Sequence, residues 1–159
     1  MKKDDATTKR NTAPLVKPKI FLDADVLIAG SASITGASYV VLQLSALTLV
    51  ECIISQQVRV EAQRNLEPKL PQALPAFRVL LESSVTIVED PNPAALKPFC
   101  GQADEEDLPI LVAALGSGCH YLLTFNTRHY YPTTEEIKLM PPGEFLAELR
   151  QQLLDLLSR

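Results

Sequence analysis

The chain has no tryptophan, and only two histidines, three cysteines and six glycines among 159 residues. Each shortage excludes something. Cys52, Cys100 and Cys119 share no CxxC spacing and are too few for a disulfide framework, so they read as free thiols in a reducing compartment. His120 and His129 are too few to complete a zinc finger with them. No long hydrophobic run exists. The longest apolar region, Val40 to Ile54, is broken by Gln43, Ser45, Thr48 and Glu51, and a bilayer span needs about 20 apolar residues. The opening Met1-Lys2-Lys3-Asp4-Asp5 has no apolar segment behind it, so no secretory signal is expected. Together these features predict a soluble, cytoplasmic protein. Positive charge is also scarce. Lys and Arg total 15 against 19 Asp and Glu, for a net charge of −4. That argues against a broad basic nucleic-acid surface, leaves room for a local patch, and suits a site that gathers carboxylates around a cation.

The residues present are those of an ordinary globular chain, 47% hydrophobic and 21% charged. Residues 1–18 are polar, charged and interrupted by Pro14 and Pro18, and predict a disordered tail. Residues 19–159 predict a single domain with a sizeable core. Lys19 to Ile28 reads as a first strand. Small residues from Ala29 to Gly36 read as a connection, and Ser38 to Leu49 as a helix. Further strands are expected at Val50–Ile54, Val85–Val88, Tyr121–Phe125 and Ile137–Leu139, with helices at Gln56–Leu66, Pro71–Ser83, Asp104–Leu115 and Glu144–Leu157. Ser55 is a candidate N-cap, and Pro68 a helix stop. In the closing helix Phe145, Leu149, Leu153 and Leu156 should face inward. Strands alternating with helices at this pace indicate βαβ units. The expected fold class is therefore α/β, three layers, with a mostly parallel sheet of four to five strands.

The chemistry follows from where acids fall in that scheme. Burying Asp23 and Asp25 inside a strand would cost several kcal/mol, about 2–7 even for an uncharged polar group. The cheaper arrangement places both at the strand's C-terminal end, facing a crevice. The alternative is that Asp23 starts a turn or caps the next helix. Asp104 and Asp107 stand at a helix start, and Asn126 at the end of the fourth strand. Helix starts and strand C-termini share one edge of a parallel α/β sheet, so these groups can converge, and Glu61 can join them from its own helix. Clustered carboxylates raise one another's pKa unless a cation neutralises them. Oxygen ligands suit Mg²⁺ or Mn²⁺, and such an ion serves phosphodiester hydrolysis. Capping and dipole compensation are the alternative for Asp104 and Asp107. Arg59, Arg64 and Arg128 lie near the expected mouth and could meet RNA phosphates.

Four segments in order resemble PIN-domain nucleases. Phe21-Leu22-Asp23-Ala24-Asp25-Val26-Leu27-Ile28 is similar to the family's opening motif, and Ser55 to Glu61 to its second-acid helix. Asp104 to Leu115 resembles the third-acid helix, and Leu122-Leu123-Thr124-Phe125-Asn126 the strand ending in Thr-x-Asn or Thr-x-Asp. The resemblance implies a three-layer α/β/α fold over 19–159 and a Mg²⁺- or Mn²⁺-dependent ribonuclease acting on RNA. The family includes the toxin halves of VapBC-type toxin–antitoxin pairs, so an antitoxin partner and a homodimer are implied as well. Carried over by position, Asp23, Glu61 and Asp107 are the three metal-holding acids. Asp104 is an additional acid, and Thr124 and Asn126 complete the fourth motif. One departure stands out. Many members place an acid at the position of Asn126 or three residues later, where this chain has His129. That departure supports a second reading, a catalytically degenerate module that binds RNA or an antitoxin. A third reading comes from Asp23-Ala24-Asp25-Val26, which also resembles the opening of haloacid-dehalogenase-type phosphatases. There Leu27 replaces the usual Thr, and the required downstream Lys is not evident.

Overall fold

The structure is a computed structural model that describes residues 16–159. The tail expected over 1–18 therefore lies, up to residue 15, outside the described residues. Five strands form one parallel sheet in the order β3-β2-β1-β4-β5. They are β1 (Lys19–Leu22), β2 (Glu51–Ser55), β3 (Thr86–Val88), β4 (Tyr121–Leu123) and β5 (Lys138–Met140). The central strand β1 pairs Phe21 with Ile53 on one side and with Leu122 on the other. Its Ile20, Phe21 and Leu22 are fully buried, as a strand covered on both faces requires.

Among the described residues seven α-helices flank the sheet: α1 (Ala24–Ala32), α2 (Ala37–Ala46), α3 (Gln56–Lys69), α4 (Leu74–Ser83), α5 (Pro93–Leu96), α6 (Leu108–Gly116) and α7 (Pro142–Leu157). Helices α1 to α4 pack on one another with α7 against α2, while α6 packs on β2, β4 and α5. This is the expected three-layer α/β/α arrangement. The strand order reverses direction at β1. After β3 the chain crosses back to lay β4 on the far side of β1. Carboxyl ends of strands at such a switch point open a crevice.

The first strand differs from expectation. It ends at Leu22, not Ile28, because Asp23 caps a helix: its backbone is extended (φ −74°, ψ 160°) and its carboxylate accepts from the Ala24 amide. The capping alternative and the strand-end alternative are thus one arrangement. The small residues from Ala29 continue α1 instead of making a loop. Gly30 lies where α1 meets α2, and a Cβ there would run into the fully buried Leu42. Ser55 caps α3 as expected, accepting from Val58 N at 3.4 Å. Pro68 is tolerated within the last turn of α3, which runs to Lys69. Helix α6 begins at Leu108, later than the expected Asp104, with Pro109 in its first turn. It ends before Gly118, whose φ of +68° suits glycine. In α7 Phe145 is buried and Leu149 packs on the core, but Leu153 (53% exposed) and Leu156 (37%) do not turn inward. The helix runs past the core at its last turns. Among the described residues no single helix is long and apolar enough to cross a membrane.

The α1–α2 contact gives a stability prediction. Gly30→Ala should destabilise the fold by about 1–3 kcal/mol, the usual cost of overpacking a core, read as a lowered urea midpoint with unchanged m-value.

Candidate active site

The end of β1 and the end of β4 are laced together by hydrogen bonds to carboxylates. Asp23 N donates to Leu123 O at 3.0 Å, so the chain leaves β1 still paired to β4. Asp23 is 6% exposed. Its Oδ1 accepts from Ala24 N at 2.8 Å. Its Oδ2 accepts from Thr124 Oγ1 at 2.9 Å and from the Tyr130 hydroxyl at 2.8 Å. Asp25, in the first turn of α1, accepts with Oδ2 from Phe125 N at 3.0 Å and from Asn126 Nδ2 at 3.1 Å. Its Oδ1 is buried with no partner among the described residues. Thr124 Oγ1 also accepts from Asn126 N at 3.0 Å. With its amide nitrogen on Asp25, Asn126 has its side-chain oxygen free to act as an acceptor.

Above this layer a cavity of about 390 Å³ opens, lined by seven carboxylates (Asp23, Asp25, Glu61, Asp104, Glu105, Glu106 and Asp107) together with Asn126 and His129. Five of the six expected catalytic residues, Asp23, Glu61, Asp104, Asp107 and Asn126, share it. Thr124 lies beneath, fully buried, and is hydrogen-bonded to Asp23 and Asn126. Asp107 occupies the N-cap position of α6 without a side-chain cap bond. Its Oδ2 instead faces His129 Nδ1 at 3.1 Å, with Asp104 Oδ2 3.9 Å from the same nitrogen. Asp104 also accepts from the exposed Tyr131 hydroxyl at 3.0 Å. The expected RNA-contacting arginines are not in this cavity. Arg59 and Arg64 line a separate hollow on α3, and Arg128 is exposed in the turn just before His129.

Crowding of like charges shows in the titration of these acids. Burial, then the charge of Asp23, pushes the Asp25 carboxyl up to about 6. Glu61 is raised by desolvation and then by Asp23, Asp107 and Asp25. Asp107 is raised by burial and by Asp23, with the His129 contact pulling the other way. The buried Tyr130 phenol is raised by burial and by Asp23, which keeps it a neutral donor. A set of acids that resist ionising together, with oxygen atoms turned to a common cavity, fits a hard divalent cation.

Asp25, His129 and Tyr130 belong to the site beyond the six residues expected to be catalytic. The signal for Asp25 was its place two residues after Asp23 on the strand end. Tyr130 carried no sequence signal, because its role depends on the turn at Thr127–His129 bringing the phenol back to β1.

The profile of the family described as PIN domain matches residues 19–128. Among solved structures, VapBC2 from Rickettsia felis, bound to a DNA fragment from its promoter, aligns at TM-score 0.55 and 17% identity, over 76% of this chain and 98% of that one. VapC20 from Mycobacterium tuberculosis, a sarcin–ricin loop cleaving toxin, aligns at TM-score 0.48 and 16% identity, over 67% of this chain and 89% of that one. No curated protein matches the sequence.

Two predictions follow from the hydrogen bonds and charges. Tyr130→Phe removes only the hydroxyl on Asp23 and should cost about 1.5–3 kcal/mol, the range for a hydrogen bond to a charged group, measured by urea denaturation. The second concerns pH. An acid that titrates higher in the folded than in the unfolded chain binds more protons when folded, so its effect is to lower stability as pH rises. For Asp25 that penalty is absent below its ordinary value of 3.8 and complete above about 6. In metal-free protein, the difference in unfolding free energy between wild type and Asp25→Asn should shift in favour of the variant as pH rises through that window.

Proposed function

Because the chain belongs to the PIN domain family, we propose that it is a divalent-metal-dependent endoribonuclease that hydrolyses RNA phosphodiester bonds. The observation that carries the reading is the cavity of seven carboxylates at the switch point of the sheet. Asp23, Glu61 and Asp107 would hold the cation, Mg²⁺ or Mn²⁺. When bound, that ion supplies charge neutralisation at a phosphodiester and activation of water. The chain's own residues divide the remaining work. Asp104, exposed at the rim, would take the proton of the attacking water through the carboxylate oxygen that it does not offer to the cation. Asn126 offers its side-chain oxygen to orient that water, held in place by Asp25. Thr124 and Tyr130 fix the Asp23 carboxylate from below. Arg128, and more distantly Arg59 and Arg64, would meet phosphates along the strand.

The reading extends to the toxin role that the family resemblance implies: a cytoplasmic toxin, paired with a cognate antitoxin and able to form a homodimer, with 19–159 as one PIN-like domain. A phosphatase acting through a phosphorylated Asp23 is disfavoured. Leu27 stands where the phosphatase motif has Thr, and no lysine lines the cavity to meet a phosphorylated carboxylate. The degenerate binding module draws on one observation, the uncharged Asn126 and the imidazole of His129 among the acids.

The test is cleavage of mixed single-stranded and structured RNAs with Mn²⁺, with Mg²⁺ and with chelator. Wild type should cut only with metal. Asp107→Asn should lose on the order of 100-fold in rate or more. Its melting temperature should be unchanged or raised, since a repelling charge is removed and no cap bond is lost. Undiminished cutting by Asp107→Asn would refute the assignment. No cutting by folded wild type with either metal would favour the binding module.

A further inference from the structure

The donor set of the cavity is not made of oxygen alone. Asp104, Asp107 and His129 each present one ligand atom, and the three atoms lie within 4.8 Å of one another. Metal–ligand distances of about 2.0–2.6 Å allow a single ion to reach atoms this close together. Backbone contacts hold the imidazole at that position. Asp104 N donates to His129 O at 2.8 Å, His129 N to Asn126 O at 3.0 Å, and Tyr131 N to Gln102 O at 2.9 Å. An antiparallel bridge joins Ala103 to Tyr130. Tyr130 is anchored in turn on Asp23. The two loops that carry Asp104 and His129 are therefore stitched into one rim.

The geometry points to His129 as a nitrogen ligand that sets the metal preference of the site, biasing it from Mg²⁺ toward first-row transition ions such as Mn²⁺ and Co²⁺. This rests on the metal-dependent reading above and narrows it. Carboxylates alone suit Mg²⁺, which binds imidazole poorly, whereas affinity for a mixed nitrogen and oxygen site climbs along the transition series. A histidine that only paired with Asp107 would leave the preference with the oxygen donors. The only other histidine, His120, is bound at the opposite edge of the sheet, where its Nδ1 accepts from Lys19 N at 3.0 Å.

The experiment uses Mn²⁺ as the probe on the full chain, with electron spin-echo modulation to detect a coordinated ¹⁴N. Competition titrations give the Co²⁺-to-Mg²⁺ affinity ratio. Wild type and His120→Gln should show nitrogen coupling, and His129→Gln should lose it. His129→Asp, which restores an oxygen donor, should bind Mn²⁺ without nitrogen coupling and lower the Co²⁺-to-Mg²⁺ ratio by on the order of tenfold. Mn²⁺ bound by wild type without nitrogen coupling overturns the role of His129 and leaves the ribonuclease reading standing. Coupling that persists in His129→Gln, or an unchanged ratio in His129→Asp, also overturns it. Absence of any Mn²⁺ binding by folded wild type defeats both.

Discussion

A carboxylate closes the central strand of this sheet, and the surrounding structure is arranged to solvate it. Asp23 is nearly withdrawn from water, so its charge must be met by protein donors or the fold would bear an uncompensated buried ion. Ala24 N supplies one donor from the helix that Asp23 itself caps, Thr124 a second from just past the end of β4, and Tyr130 a third from the turn that follows. The three donors come from separate places in the chain, and each fixes a segment against the end of β1. The same bonds that stabilise the carboxylate therefore position α1, the end of β4 and the following turn.

The acids gathered above Asp23 work against this stability. Burial first, and then the charge of each neighbour, raises the cost of ionising these acids, so Asp25, Glu61 and Asp107 all hold protons more tightly than free carboxyls do. The fold retains this repulsion at one edge, where the strand order reverses. Unfavourable electrostatics concentrated in a cleft are a usual mark of a functional site. Under the proposed function, that repulsion would become binding energy for a cation of opposite charge.

His129 modifies that balance from inside the cluster. Its ring offsets part of the charge of Asp107. The loop that carries it is tied to the loop of Asp104 by backbone hydrogen bonds. Asn126 plays a complementary part, spending its amide on Asp25 while keeping an oxygen free. Two residues that looked like departures from an all-acid pattern are thus built into the hydrogen-bond frame.

Much of this was legible in one dimension. Apolar runs within Lys19–Ile28, Val50–Ile54 and Tyr121–Phe125 indicate buried strands, because a sheet covered on both faces accommodates them. Alternation with helices of period 3.6 then requires parallel crossovers, and these place strand ends and helix starts on one edge. That topology allows Asp23, Glu61, Asp107 and Asn126 to converge, and in the structure they line one cavity. Local ambiguity was not resolved by sequence. Asp23 suited either a strand end or a helix cap, and only its geometry shows that it is both. The apolar stripe of α7 reads as inward along its whole length, yet its last turns extend beyond the core. The pairing of Tyr130 with Asp23 and of His129 with Asp107 was decided by tertiary structure, since these contacts span 107 and 22 residues of chain. Periodicity and spacing fix which face or edge a residue occupies; the closure of a turn between two loops decides which atoms meet.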